Sequence, residues 1–400
     1  MSRIWGGELF RGSLESTNPS FPFDGAAGNR QRSLTMASCS LPDDVMAGPH
    51  DAPLQALFLP FAQGVLPWPQ RPVLFLRARD GFPLRERATA DTLICEQSFR
   101  PFAEALERSG WTVREESEIE ADSTRYALVL VLPPRQREEA RALFARAVAL
   151  TAPGGRVVAC QSNNEGARSG EADLRQLTGL AGSLTKHHCR TYWSPPLPAD
   201  TDVALQARWT VLDAPRKILD GRFISRPGVF AWDRIDPASA LLVEHLPATL
   251  AGHGADLGAG FGYLSAEVLA RCPKITALDL YEAEARALTL AQRNLQDIAH
   301  PAQLQYHWRD VTAGLVAQYD FIVSNPPFHT PSRADRPDIG QRFISAAAQA
   351  LCPGGQLLLV ANRHLPYENV LNERFGQVRV AAERDGFKLI FAIRGRGAHA

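Results

Sequence analysis

The sequence predicts an α/β fold of two tandem Rossmann-like domains, and two observations lead to this prediction. Strand-like apolar runs alternate with helix-like stretches along both halves of the chain, a pattern typical of parallel sheets. In addition, Tyr126 to Arg135 (YALVLVLPPR) aligns with Tyr319 to Phe328 (YDFIVSNPPF). The alignment continues to Pro153-Gly154-Gly155 and Pro353-Gly354-Gly355, each after an alanine-rich helix. A repeat at this distance indicates a duplicated domain.

The individual elements follow from local periodicity. The first periodic segment lies at Leu54 to Phe61. In the first half we expect strands at Val73 to Leu76 and Tyr126 to Leu132, and helices at Ser98 to Ser109 and Arg137 to Leu150. In the second half we expect strands at Gly254 to Leu257, Ile275 to Leu280, Phe321 to Ser324 and Gln356 to Ala361, and helices at Leu264 to Arg271, Glu282 to Gln296 and Gln341 to Leu351. A proline-rich stretch, Ser194 to Asp202, and a short strand-like run, Ala204 to Leu212, separate the halves.

The chain divides into three predicted parts. Residues 1–48 mix Gly, Ser, Pro and Asn without periodicity, so we expect a disordered segment or a leader outside the native domains. Residues 49–200 form the first domain and residues 201–400 the second. With 45% hydrophobic residues, a chain of 400 residues can bury a core in each domain.

Composition argues against several classes of protein. The formal net charge of +0 disfavours a protein that binds nucleic acid through a generally basic surface, although a local basic patch is compatible with a neutral total. The 6 cysteines are scattered without a C-x-x-C pair, so neither a disulfide framework nor a metal site is expected. No apolar run approaches the roughly 18 residues that span a membrane. We therefore expect a cytoplasmic protein without a membrane role, and a monomer.

A glycine-rich loop in the second half predicts a ligand site. The motif D-L-G-A-G-F-G spans Asp256 to Gly262, between an apolar strand and a helix. Its glycines permit a tight turn and bring backbone N–H groups close to a ligand. Asp279 is expected at the end of the next strand, where a carboxylate can accept both hydroxyls of a ribose. The loop and the acid alone also suit NAD, so they do not decide the cofactor.

The motif S-N-P-P-F-H (Ser324 to His329) favours one cofactor. It follows a strand, and open α/β sheets bind their ligands at the carboxyl ends of strands. Because Pro326 and Pro327 stiffen the backbone, the Pro326 carbonyl and the Asn325 side-chain oxygen can hold both hydrogens of a planar amino group. The nitrogen lone pair then points towards a methyl sulfonium, and Phe328 stacks on the base. This arrangement predicts methylation of an exocyclic amine by S-adenosylmethionine.

These motifs, together with F-K-L-I-F-A (Phe387 to Ala392), resemble those of the bacterial ribosomal RNA guanine-N2 methyltransferases, and most closely the small-subunit (16S) type. The resemblance covers most of Leu54 to Ala392 and includes Arg226 to Asp236, which is similar to the segment that leads into the family's catalytic domain. It implies two tandem class I methyltransferase domains, the first degenerate. It also implies ribosomal RNA as the partner, either free or within the small subunit or an assembly intermediate.

Candidate site residues fall into three groups. The candidate catalytic residues are Asn325, Pro326 and Phe328. The residues expected to hold S-adenosylmethionine, whose product is S-adenosylhomocysteine, are Asp256, Gly258, Gly260, Gly262, Asp279 and Asp310, with Asp310 near the adenine. The candidate substrate contacts are Pro327, His329, Arg226 and Phe230. No metal is implied.

Alternative functions remain compatible with the sequence. Related N-P-P-containing enzymes methylate guanine N2 of 23S ribosomal RNA, adenine N6 or the side-chain amide of a protein glutamine. A non-catalytic ribosome-assembly factor could also keep the same fold.

The first domain is predicted to bind no cofactor. It has Leu132 at the position of Asn325, Arg135 at that of Phe328, and no glycine loop near Val73 to Leu84. We expect it to support the second domain or to contact RNA. Four arginines could supply phosphate contacts along one helix, but Glu138 and Glu139 interrupt the charge, which favours a plain solvated face; these arginines are Arg135, Arg137, Arg141 and Arg146.

Overall fold

The first half of the chain alternates strands and helices. The computed structural model describes residues 51–199, 203–327 and 337–395, so the predicted segment 1–48 lies outside the described residues. In chain order the elements of the first half are α1 (Ala52–Ala62), β1 (Val73–Leu76), α2 (Phe82–Arg87), β2 (Leu93–Glu96), α3 (Arg100–Arg108), β3 (Thr112–Arg114), α4 (Glu116–Ala121), β4 (Tyr126–Val131), α5 (Arg137–Leu150), β5 (Thr151–Ser162), α6 (Ala167–Thr178), β6 (Gly182–Lys186) and β7 (Cys189–Trp193).

A helix and a small hairpin lead into the second half. These connecting elements are α7 (Val203–Thr210), the hairpin strands β8 (Arg216–Ile218) and β9 (Phe223–Ser225), and α8 (Pro237–Glu244). The second half then contains β10 (Ala251–Leu257), α9 (Tyr263–Arg271), β11 (Lys274–Glu282), α10 (Ala285–Leu295), β12 (Gln303–Trp308), β13 (Tyr319–Ser324), α11 (Pro337–Ala350), β14 (Leu351–Asn362), α12 (Glu368–Arg374), β15 (Gln377–Arg384) and β16 (Phe387–Ile393).

Both halves form seven-stranded sheets with one topology. The strand orders are β3-β2-β1-β4-β5-β7-β6 and β12-β11-β10-β13-β14-β16-β15. In the first sheet β7 runs antiparallel to both of its neighbours, and in the second sheet β16 does the same. The repeat seen in the sequence occupies equivalent strands, β4 and β13. Even an irregularity recurs: the register shifts between Tyr126 and Leu128 against β5, and between Tyr319 and Phe321 against β14. The prediction of two tandem Rossmann-like domains is therefore confirmed.

Apolar residues on both faces of each central strand explain the helical layers. Along β1, Val73 and Phe75 pack into one hydrophobic cluster, and Leu74 and Leu76 pack into another on the opposite face. Successive side chains of a strand point to opposite sides, so an uninterrupted apolar run requires cover on both. Helices supply that cover, which gives each domain three layers.

Most predicted elements are confirmed, but one is wrong. The run Ala204 to Leu212, predicted as a strand, lies largely in helix α7. Its buried residues Leu205 and Trp209 are four positions apart and pack against the core of the first domain. That spacing matches one helical turn, so tertiary packing outweighs the local preference for a strand.

The two domains meet at the loops that follow β2 and β11. The Arg100 amide donates to the Ala283 carbonyl at 2.8 Å, and the Ala285 amide donates to the Ser98 carbonyl at 2.9 Å. The Trp308 indole donates to both carbonyls, at 2.9 Å for Ala283 and 3.0 Å for Ser98. Equivalent loops of the duplicated domains therefore pair with each other, directly beside the carboxyl edge of the second sheet.

Candidate active site

The glycine-rich loop leaves strand β10 in a conformation that suits glycine. Gly258, Gly260 and Gly262 have φ angles of +76°, +56° and +89°. The amides of Gly258 and Ala259 both donate to the Tyr281 carbonyl of β11, at 2.8 and 3.0 Å. A Cβ placed on Gly260 would face open space, whereas one on Gly262 would lie 3.2 Å from Ala291 of α10. Gly262 was also predicted to hold the cofactor. The position where its side chain would begin faces helix α10, so the absence of a side chain allows that helix to approach closely.

Asp256 lies at the end of β10 and keeps one carboxylate oxygen without a partner. The residue is 0% exposed, and its Oδ2 accepts from the Ser265 hydroxyl at 2.7 Å. Its Oδ1 is buried and makes no hydrogen bond within the described residues. Burial raises the pKa of Asp256 to about 7, although the Ser265 hydroxyl lowers it. An orphaned buried acceptor of this kind fits a ligand that brings a positive charge or a donor.

Asp279 is not at the end of its strand, contrary to the prediction. Strand β11 continues for three more residues to Glu282, and Asp279 is 1% exposed inside the domain. Its oxygens contact the Tyr319 hydroxyl at 2.7 Å, the His253 ring at 3.1 Å and the His307 ring at 3.3 Å. In the register of the sheet, Asp279 pairs with Ala255 of β10, in the body of the sheet, and its carboxylate is engaged by these three side chains.

Glu282 occupies the position that was expected of Asp279. Its Oε2 accepts from the Gly260 amide at 2.8 Å, and its Oε1 accepts from the Glu284 amide at 2.9 Å. Burial raises its pKa, while the backbone hydrogen bonds lower it. The sequence reasoning missed Glu282 because it ended the strand at Leu280. The signal was available, since the buried aromatic Tyr281 continues the apolar run.

Asp310 lies at the same edge, just beyond β12. The Arg309 amide donates to the Glu282 carbonyl at 3.0 Å, which places Asp310 at the same edge as that acid. Asp310 caps a short 3-10 turn, Val311–Ala313, by accepting from the Thr312 amide at 2.8 Å. Three carboxylates, from the ends of neighbouring strands, thus line one side of the second sheet.

Asn325 follows β13 and lies in a pocket with the glycine loop. The pocket is lined by Gly258, Ala259, Gly260, Phe261, Tyr263, Leu264, Asn325, Phe230, Ala231, Asp236 and Ser239. The Asn325 amide nitrogen donates to Asp236 Oδ2 and to Ser239 Oγ, both at 2.9 Å. Its Oδ1 is buried and has no partner within the described residues. The side chain therefore offers an unused acceptor oxygen inside the pocket.

The rest of the N-P-P motif is only partly described. Pro326 is buried and Pro327 is exposed, whereas Phe328 and His329 lie outside the described residues. Phe230, predicted as a substrate contact, is 61% exposed and lines the pocket that holds Asn325. A largely exposed aromatic ring beside a polar pocket is suited to stacking on a planar ligand.

Arg226 lies elsewhere. Its guanidinium pairs with Asp213 at 2.5 Å and with Glu116 of the first domain at 3.6 Å, in a charged cleft between the domains. Only 12% of its side chain is exposed, so it is committed to an ion pair across the interface. Arg226 therefore does not line the pocket that holds Asn325, and its role as a substrate contact stays a prediction.

In the first domain, side chains of the domain itself engage the positions equivalent to this site. Leu132 is 3% exposed, and Glu96, at the end of β2, is paired with Arg146. Arg77 stands where the glycine loop begins in the second domain and pairs with Glu139 at 3.1 Å. These internal ion pairs occupy the acid and the loop that a ligand would need.

The arginines considered as possible RNA contacts are largely engaged in ion pairs inside the first domain. Arg137 and Arg141 both bind Asp173, at 3.0 and 2.9 Å. Arg146 binds Glu120 at 3.2 Å in addition to Glu96. Acids of the first domain already pair with these three arginines, which favours a structural role for this helix face over a row of phosphate contacts.

Comparison with known proteins agrees with this site. A family model described as Methyltransferase small domain matches residues 220–391, which include the glycine loop and Asn325. Ribosomal RNA small subunit methyltransferase C of Pseudomonas aeruginosa (strain UCBPP-PA14) is 32% identical over 317 residues, covering 73% of this chain and 91% of that protein. The protein of the same name from Shewanella piezotolerans is 31% identical over 267 residues, covering 66% and 77%. The chain belongs to the ribosomal RNA small subunit methyltransferase C family. The resemblance inferred from the motifs is therefore confirmed.

A solved structure supports membership of the ribosomal RNA small subunit methyltransferase C family across both domains. It is the Thermus thermophilus 16S rRNA N2 G1207 methyltransferase in complex with AdoMet and guanosine. The match has a TM-score of 0.70 and 25% identity, and covers 87% of this chain and 93% of that one. The duplicated architecture is thus shared with that enzyme.

The described residues show neither a membrane-spanning helix nor a metal cluster. Among residues 51–199, 203–327 and 337–395, no helix has the length and apolar character to cross a membrane. Within the same described residues, no cluster of His, Cys, Asp and Glu side chains forms a metal site.

Proposed function

We propose that this methyltransferase transfers a methyl group from S-adenosylmethionine to the exocyclic N2 of a guanine in 16S ribosomal RNA. The unused Oδ1 of Asn325 carries the proposal, because it is a buried neutral acceptor beside the glycine loop. A planar amino group can satisfy such an acceptor while its nitrogen faces the bound cofactor.

The residues around the glycine loop fit S-adenosylmethionine. The free Asp256 Oδ1 suits the ammonium of an amino-acid moiety, and the open space at Gly260 allows close approach to the backbone. Glu282 would accept the ribose hydroxyls, and Asp310 lies on the side where an adenine would follow. When bound, the cofactor supplies an electrophilic methyl group on sulfur.

The acceptor side is assembled from the N-P-P segment and Phe230. The Asn325 oxygen and the Pro326 carbonyl would each accept one N–H of the guanine amino group and so fix its plane. This arrangement orients the weakly nucleophilic nitrogen and stabilises the positive charge that develops on it during transfer. Phe230 would stack on the base at the mouth of the pocket, and Pro327, Phe328 and His329 stay predicted contacts of the base.

The family relationship favours 16S guanine N2 over the alternatives. The relatives are named as small-subunit ribosomal RNA methyltransferases, and the similar solved structure is titled as an N2 enzyme with guanosine bound. The unused acceptors of Asp256 and Asn325 argue against a non-catalytic assembly factor, because both lie at the glycine loop, where a bound ligand would satisfy them. A ribosomal substrate would place the reaction in the cytoplasm.

Methyl transfer to separated ribosomal components tests the proposal. The full chain is incubated with labelled S-adenosylmethionine and unmethylated 30S subunits, 50S subunits, free 16S RNA or free 23S RNA, followed by nucleoside analysis. We expect N2-methylguanosine in small-subunit RNA. Label in N6-methyladenosine, in 23S RNA or in protein glutamine would identify one of the alternative acceptors, and no transfer would contradict an enzymatic role.

A further inference from the structure

The orientation of the Asn325 amide is decided by a neighbour outside the N-P-P motif. Of its two hydrogen-bond partners, Ser239 has a hydroxyl that can either donate or accept. Asp236 has a carboxylate, which only accepts when ionised. The Asn325 nitrogen must therefore face Asp236, and its oxygen must face the pocket, where it stays unpaired.

Asp236 is itself held in place by a helix. The same Oδ2 that binds Asn325 also accepts from the Ser239 amide at 2.9 Å and so caps the N-terminus of α8. Helix α8 is anchored in the core through Ala238, Leu241 and Leu242, which are at most 2% exposed. A single oxygen thus ties the amide of Asn325 to a rigid element.

We propose that Asp236 is a positioning residue for methyl transfer: it locks the Asn325 amide with its oxygen towards the acceptor amine. This inference rests on the function proposed above. Without the lock, the amide can rotate by 180° and present N–H groups to the guanine amino group, which is itself a donor. Such a flipped Asn325 repels the substrate instead of orienting it. Asp236 contributes no proton transfer in this scheme.

Two substitutions at Asp236 separate the lock from other roles. In Asp236→Asn, the side-chain oxygen can take the place of Oδ2 and accept both N–H groups, so kcat should stay within about fivefold of wild type. In Asp236→Gly, the acceptor is lost, and kcat should fall about tenfold to hundredfold with an unchanged dissociation constant for S-adenosylmethionine. Glycine is well tolerated at an N-cap, so the melting temperature should change little.

A double variant tests whether Asp236 acts through Asn325. If it does, single-turnover rates of Asn325→Ala and of Asp236→Gly/Asn325→Ala should be equal within about twofold. Asp51→Gly is the matched control, because Asp51 caps helix α1 in the first domain and should leave kcat unchanged. A wild-type kcat in Asp236→Gly would overturn the lock. The lock would also be overturned if Asp236→Asn were as slow as Asp236→Gly, since that result indicates that Asp236 acts as a base. A double variant slower than Asn325→Ala alone would overturn it as well.

Side-chain amide exchange gives a readout that does not depend on activity. The Asn325 NH2 resonance, identified by its absence in Asn325→Ala, should be protected from solvent exchange in wild type and Asp236→Asn but not in Asp236→Gly. Equal protection in all three would overturn the lock. If wild type transferred no methyl group to guanine, the proposed function would fail while this exchange pattern still decided the orientation of the amide.

Discussion

Replacing Glu282 should weaken the binding of S-adenosylmethionine, whereas replacing Asp279 should destabilise the fold. The two acids lie on one strand, three residues apart, but only Glu282 contacts the glycine loop. Asp279 instead has the Tyr319 hydroxyl and two histidine rings around it. The pair therefore tests whether Glu282 is a ligand-binding carboxylate and Asp279 a structural one.

The magnitudes follow from the hydrogen bonds of each acid. A hydrogen bond to a charged group contributes about 1.5–3 kcal/mol, and about 1.4 kcal/mol changes a dissociation constant tenfold. Losing one such bond to ribose in Glu282→Ala should raise the dissociation constant about tenfold to hundredfold. Asp279→Ala leaves buried donors without their acceptor, which costs about 1–3 kcal/mol of the free energy of unfolding.

Calorimetric titration and thermal unfolding of the full chain measure the two effects. Glu282→Ala should bind the cofactor weakly, and because it also leaves the Gly260 and Glu284 amides without their acceptor, it should lose a few degrees in Tm as well. Asp279→Ala should bind within about threefold of wild type and lose several degrees, since each kcal/mol lowers Tm by about 2–4 °C. Glu244→Ala, which removes an exposed carboxylate of α8, serves as the control. The reverse pattern, with affinity lost in Asp279→Ala and kept in Glu282→Ala, would refute the assignment.

Four other predictions can be checked with the same protein. Asn325→Ala should remove about 2.7–4 kcal/mol of transition-state stabilisation, which lowers kcat roughly a hundredfold to a thousandfold. The cofactor dissociation constant should stay within a few-fold of wild type. Wild-type turnover would contradict the role of Asn325. Burial raises the pKa of Asp256 to about 7, so the stability that this carboxyl group contributes to the ligand-free protein is present below about pH 4 and lost as pH rises through 7. A cationic ligand, in contrast, needs the ionised carboxylate. Cofactor affinity should therefore increase about fivefold to tenfold from pH 6 to pH 8. Asp256→Asn should flatten that profile, and an unchanged slope would assign the titration to another group. Titration of the full chain should give one S-adenosylmethionine per chain, and a stoichiometry of two would show that the first domain still binds. Trp308→Phe removes the indole hydrogen bonds to the carbonyls of Ser98 and Ala283, which hold the loop after β11. The dissociation constant for the cofactor, measured by titration, should therefore rise several-fold. An unchanged kcat at saturating cofactor would show that the chemical step is intact.

Local patterns were enough to predict the positions of most elements in the chain. The apolar runs of β1, β4 and β13 are short and uninterrupted because both faces of these strands are buried, so their bounds were close to correct. Asn325 was also predictable, since two prolines after an asparagine form a rare segment with few other uses. Helix α7 was predicted as a strand because its few apolar residues fit either period until the first domain covers them.

The sequence by itself determined the duplicated fold, the family and the glycine-loop and N-P-P motifs, because each depends on residues adjacent in the chain. Tertiary structure decided which acid contacts the glycine loop, since a carboxylate on a strand reaches that loop only if it lies at the carboxyl end of the strand. It also decided that Arg226 is neutralised by Asp213 and Glu116, and that Asp236, far from Asn325 in sequence, orients its amide. Contacts between distant segments carry no local pattern, so only the folded chain shows them.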